Sequence, residues 1–152
     1  MKVAVIPDGA MIVVPLIEKN GHEYISPTNF SKYNNLDVSG KCGDLLDNIN
    51  PYFSNELPSG VKGRLTLFYP ILEEADAFVI FNKRPKTYKK MYNTLNELIL
   101  FGATGCINEY NLAIALVKDK KVPTLELAYP TTKKEIINLI KQTNDFLKDK
   151  KI

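Results

Sequence analysis

Short apolar runs alternate along this chain with longer stretches in which apolar residues recur every three or four positions. The run "KVAVI", residues 2–6, is mostly β-branched and is closed by Pro7-Asp8-Gly9, so it reads as a buried strand entering a turn. Residues 10–20 carry apolar positions at helical spacing and stop at Asn20-Gly21, a helix C-terminal signal. Pro15 makes that helix short or kinked unless it falls in the first turn. "HEYIS" then supplies a second strand. Strand, helix and strand in such quick succession are the mark of a parallel sheet with crossover helices.

The same reading continues after an irregular excursion at 27–57, which is rich in Asn, Ser, Pro, Asp and Gly and holds at most a short helix at 44–49. A helix is expected from Ser59, with Val61, Leu65, Phe68, Leu72 and Ala75 on one face and a kink at Pro70. "AFVIF", 77–81, is a third buried strand, and the apolar run 95–101 a further helix. After the turn at 102–105, a helix carrying Ile107, Leu112, Ala115 and Leu116 runs to the cations at 118–121. "VPTLEL" is a fourth strand, and 131–148 a last helix whose apolar face is Ile136, Ile137, Ile140 and Leu147. The pattern predicts a single α/β domain over 1–152, small and Rossmann-like or flavodoxin-like, with about four mainly parallel strands and helices on both faces.

Composition narrows the function classes. Hydrophobic residues make up 45% and charged residues 24%, as in soluble globular proteins. With 20 basic and 17 acidic residues, the net charge of +3 is too small and too diffuse for a nucleic-acid binder, although Lys83, Arg84, Lys86, Lys89 and Lys90 are grouped. No apolar run approaches the roughly 20 residues of a membrane span, and the N-terminus lacks the features of a signal peptide. A cytoplasmic protein with reduced thiols at Cys42 and Cys106 is expected.

Chemistry concentrates at two helix starts. In "FGATGCINEY", Thr104, Gly105 and Cys106 combine a hydroxyl, a flexible backbone and exposed amides, the ingredients of an anion-binding nest. Cys106 there is either an activated thiol or a small buried hydrophobe. Glu109 is either a reactive carboxylate or a first-turn acid complementing the helix dipole. In "PSGVKGR", Ser59 is a cap and Lys62 and Arg64 are anion ligands, or else the stretch is a solvated helix start; it does not match a P-loop. His22 is the only histidine, which excludes a multi-histidine metal site. No cofactor is named by any of these residues.

Two resemblances add to this reading. Gly105, three residues, Glu109, then Ala113 and the strand entry Lys121-Val122-Pro123 are similar to the surroundings of the nucleophilic glutamate in nucleoside deoxyribosyltransferases, although the aspartate usual before the glycine is missing. That likeness implies a nucleoside- or nucleotide-processing enzyme with Glu109 as nucleophile. More of the chain, in "LIEKNGHE", "LPSGVKGRL", "ILEEADAFVIF", "FGATGCINEYNL" and "VPTLELAYP", resembles the methanogenesis marker protein 5 family of methanogenic archaea. The resemblance implies a cytoplasmic accessory or binding protein that assists assembly or activation of methyl-coenzyme M reductase or its nickel cofactor. Its partners would be methanogenesis enzyme-assembly proteins or a small anionic ligand, with room for a homo-oligomer. The family turn has two cysteines, Phe-Gly-Cys-x-Gly-Cys, and Ala103 stands at the first of them here, so a thiol-pair role does not carry over.

Overall fold

The computed structural model describes residues 1–27, 59–86, 94–102 and 106–149. The side chains of Ser59 and Thr94, the excursion beyond Pro27, and Lys89, Lys90, Ala103, Thr104, Gly105 and Cys42 lie outside that description.

Among the described residues four strands form one sheet: β1 (Lys2–Ile6), β2 (Glu23–Tyr24), β3 (Ala77–Phe81) and β4 (Thr124–Leu127), in the order β2-β1-β3-β4. Every pairing is parallel, with Val3 opposite Ala77 and Tyr24, and Phe78 opposite Thr124. β1 and β3 are central and almost fully buried, as strands covered on both faces must be, which is why they read as unbroken apolar runs. The fold is therefore a doubly wound α/β domain of the flavodoxin-like kind. Chain order reverses between β1 and β3, the switch point beside which such sheets bind ligands.

Alternate side chains of each strand feed two cores. Val3, Val5, Ala77, Val79 and Phe81 face α1 (Val14–Lys19) and a C-terminal helix, while Ala4, Ile6, Phe78 and Ile80 face the opposite layer. That opposite layer is α2 (Ser59–Glu74) and α4 (Ile107–Lys120), preceded in the chain by α3 (Thr94–Phe101). The C-terminal helix is α5 (Lys133–Asp149).

Several local expectations are corrected. α1 begins at Val14, not at residue 10, and Pro15 is harmless because it sits in the first turn, where its missing N–H has no partner to lose. β2 is two residues long, although Ile25 extends the pairing by donating its N–H to the Val3 carbonyl at 3.0 Å. On α4 the buried stripe is Tyr110, Ala113 and Val117, with Leu112 and Leu116 beside it and Ile107 about half exposed. On α5 the buried stripe is Leu139, Thr143 and Leu147; Ile136 and Ile140 flank it, and Ile137 points outward at 68% exposure. Thr143 tolerates full burial by donating its hydroxyl to the Leu139 carbonyl one turn back, at 2.9 Å.

Two polar contacts fix the ends of elements. Gly21 takes a left-handed φ of 80° after α1, and the buried His22 that follows uses Nε2 to meet the Leu147 carbonyl of α5 at 2.9 Å. Lys120 reaches from the end of α4 to the carbonyls of Leu72, Glu73 and Ala75, closing the C-terminus of α2.

Candidate functional site

In a parallel sheet the helices that lead into each strand begin at the carboxyl edge. α2 and α4 start there together: Val61 and Leu65 of α2 pack with Cys106, Leu112 and Leu116. Cys106 is the N-cap residue of α4, in extended conformation and making no side-chain cap bond. Its thiol is thus half-buried in an apolar seam between two helices.

Beside that seam lies a cavity of about 200 Å³. Its floor is the end of β1, from Ala4 to Asp8, with Ile25 and Pro27 at one side. Arg64, Leu67, Phe68 and Ile71, spaced three and four residues apart, form one stripe of α2 and make a wall. Glu109, Tyr110 and Ala113 make the other wall from α4. Most of the lining is apolar, and the polar groups are few and convergent: Asp8, Arg64, Glu109 and Tyr110.

Arg64 and Glu109 face each other across the two helices, with Nη1 3.6 Å from Oε2. Burial pushes the Glu109 carboxyl above its usual range, and the guanidinium opposes that push without cancelling it. Asp8 follows the last buried residues of β1 and is exposed toward the cavity mouth. Its Oδ1 accepts a hydrogen bond from the Tyr24 hydroxyl, and that hydroxyl accepts from the Gly9 amide at 3.0 Å. Burial, then the neighbouring Asp8, raise Tyr24 well above the ordinary phenol value, so Tyr24 stays a donor and holds the carboxylate in place. Tyr110 donates its hydroxyl to the carbonyl of Phe81, pinning α4 to the end of β3. Lys83 lies over the Tyr110 ring, 4.9 Å from its centre, and donates to Asn111 at 2.9 Å.

Gly102 packs against the turn that follows β1. Gly102 has φ of 71°, and a β-carbon there would lie 2.7 Å from the Asp8 carbonyl and 3.1 Å from that of Pro7. Only glycine fits so close to the β1 turn, so the "FG" and "PDG" segments, far apart in sequence, are one packed unit.

Of the residues singled out in the sequence, Arg64 and Glu109 line the cavity, Cys106 sits in the adjoining seam, and Lys62 is on α2 outside the lining. The Ser59 side chain, Thr104 and Gly105 lie outside the described residues. Asp8 belongs to the Pro7-Asp8-Gly9 segment that the sequence places at the carboxyl edge of the sheet, without assigning it a role; Tyr24 and Tyr110 are not indicated by the sequence as site residues. The available signal for Asp8 was its place directly after a buried parallel strand, where the carboxyl edge must be. The basic cluster dissolves in part, because Arg84 is paired with Glu97 at 3.0 Å. Among the described residues no group of three or more His, Cys, Asp or Glu gathers to hold a metal, and no helix is long and apolar enough to cross a membrane.

Comparison with known proteins gives a family without a chemistry. Residues 1–150 match the family described as "Uncharacterized protein conserved in archaea (DUF2112)". The chain is 30% identical over 156 residues, covering 97% of its own length and 93% of the other, to the uncharacterized protein MJ0404 of Methanocaldococcus jannaschii. No solved structure matches it.

Proposed function

The chain belongs to the archaeal DUF2112 family, and on that premise we propose that it is a small-molecule-binding accessory protein whose ligand enters the cavity between α2 and α4. The observation that carries this reading is the convergence of Asp8, Arg64, Glu109 and Tyr110 on one apolar cavity beside the β1/β3 switch point. The volume is below the roughly 300–1,000 Å³ of drug-sized pockets, which suits a single ring or a short polar chain better than a whole dinucleotide.

The resemblance of its sequence motifs to a methanogenesis marker family favours a role beside methanogenesis, in assembly or activation of methyl-coenzyme M reductase or its nickel cofactor. Affinity capture from a methanogen lysate tests that role. Recovery of reductase subunits or their assembly factors by the wild type, reduced with Arg64→Ala, supports it, and no enrichment above a tag-only control counts against it.

A second reading is enzymatic and is favoured by the placement of Glu109. A carboxylate in an apolar cavity, kept in reach of ionisation by a guanidinium, is the arrangement a glycosyl-accepting nucleophile requires. Glu109 would attack the anomeric carbon of a nucleoside and displace its base. Incubation with a panel of nucleosides decides the matter: free base that disappears with Glu109→Ala supports it, and unchanged substrates at high protein concentration dismiss it.

A further inference from the structure

The cavity's charge pattern limits what can occupy it. Among the described residues, two carboxylates, Asp8 and Glu109, line it with one guanidinium, and Arg64 already faces Glu109 at 3.6 Å. An anionic head group would meet both carboxylates while finding Arg64, the one cation among the described lining residues, engaged. A cationic head would approach Arg64.

We propose that this cavity takes an uncharged ligand that presents hydroxyl or amide N–H donors to Asp8 and Glu109 and an apolar flank to Leu67, Phe68 and Ile71. The inference rests on the reading of the cavity as a binding site and adds the chemical class of its occupant. Asp8 is its specificity-determining residue. One carboxylate oxygen is fixed by the Tyr24 hydroxyl, itself held by the Gly9 amide, so the group is presented in a set orientation. Its remaining lone pairs, at the exposed mouth of the cavity, accept from the ligand. A carboxylate can only accept hydrogen bonds when ionised, which makes donors on the ligand a requirement. The apolar side follows from the α2 stripe, where Leu67 is 46% exposed although it lines the cavity.

Three probes with one aromatic body and different heads test this: meta-fluorobenzyl alcohol, meta-fluorobenzoate and protonated meta-fluorobenzylamine, each titrated against the full chain by fluorine NMR. The alcohol is expected to bind most tightly. Asp8→Ala should weaken the alcohol roughly tenfold, the size of one hydrogen bond to a charged group, and strengthen the benzoate. Asp8→Asn keeps the side-chain shape and must also strengthen the benzoate, which covers the case in which the alanine variant does not fold. Tightest binding of benzoate or of the ammonium probe, or an order of affinities unchanged by either Asp8 variant, overturns this proposal and leaves the cavity reading standing. Failure of all three probes to bind overturns both.

Discussion

Replacing Gly102 by alanine probes the join between the two segments that frame the site. Gly9 and Gly102 both hold left-handed φ values, 75° and 71°. An alanine in that region costs about 1–2 kcal/mol at either position, offset by roughly 0.4–1 kcal/mol of unfolded-state entropy. The two differ in surroundings: among the described residues nothing lies within 4 Å of a β-carbon added at Gly9, whereas one at Gly102 meets the Asp8 carbonyl at 2.7 Å and the Pro7 carbonyl at 3.1 Å. Both contacts are backbone, so relief requires moving the β1 turn, which by analogy with overpacked cores costs about 1–3 kcal/mol. The conformational terms cancel in the comparison, and Gly102→Ala should be less stable than Gly9→Ala by that steric amount. Urea unfolding of both variants measures the difference; by thermal unfolding, each kcal/mol corresponds to roughly 2–4 °C in a domain of this size. Equal destabilisation of the two variants would refute the claim that the Gly102 turn packs on Pro7 and Asp8.

Other expectations follow from single contacts. Lys120→Met removes the donor that meets three carbonyls at the end of α2 and should cost about 1–2 kcal/mol in urea unfolding, a loss that Lys120→Arg partly restores. Thr132→Ala removes the hydroxyl that accepts from the Glu135 amide at 3.2 Å and should cost about 1 kcal/mol as a lost helix cap. Glu135 receives the Thr131 amide and hydroxyl, which hold its carboxyl below the usual range. Its contribution is therefore present at neutral pH and lost as pH falls through the folded value; the stability gap between wild type and Glu135→Gln should shrink on acidification, and a gap that widens contradicts this. Glu109 has the opposite sign. Its carboxyl is raised chiefly by burial, so the protonated form is favoured in the fold and stability is lost as pH rises through its titration. Glu109→Gln should gain on the wild type from acid toward neutral pH, and a relative loss over that range is the contrary result.

Much of the fold was legible because the central strands carry continuous apolar runs and each is closed by a turn signal. "KVAVI" and "AFVIF" could be placed to the residue for this reason. Helix faces were read less well. The helical spacing puts Ile137 on the buried face of α5, yet Leu139, Thr143 and Leu147 set the inward stripe, and Ile137, two residues and about 200° round the helix from Leu139, points away from it. Strand order was not readable, since it depends on which side of β1 the chain returns to. The site was half visible. Arg64 and Glu109 stood out as charged residues at helix starts, and their meeting depends on the packing of α2 against α4. Asp8 could be placed at the carboxyl edge within Pro7-Asp8-Gly9, but its pairing with Tyr24 is made across β1 and β2 by a hydroxyl whose reach the local sequence does not encode.

The central claim is that the space between α2 and α4 at the carboxyl edge is where this protein binds. It is tested most directly by an amide NMR titration of the full isotopically labelled chain with meta-fluorobenzyl alcohol. Saturable shifts centred on Asp8, Ile25, Arg64, Glu109 and Tyr110, abolished when Arg64→Leu and Glu109→Leu are combined, are the expected result. Shifts confined to the opposite edge of the sheet, around Glu23, Glu74 and Asp76, would contradict it.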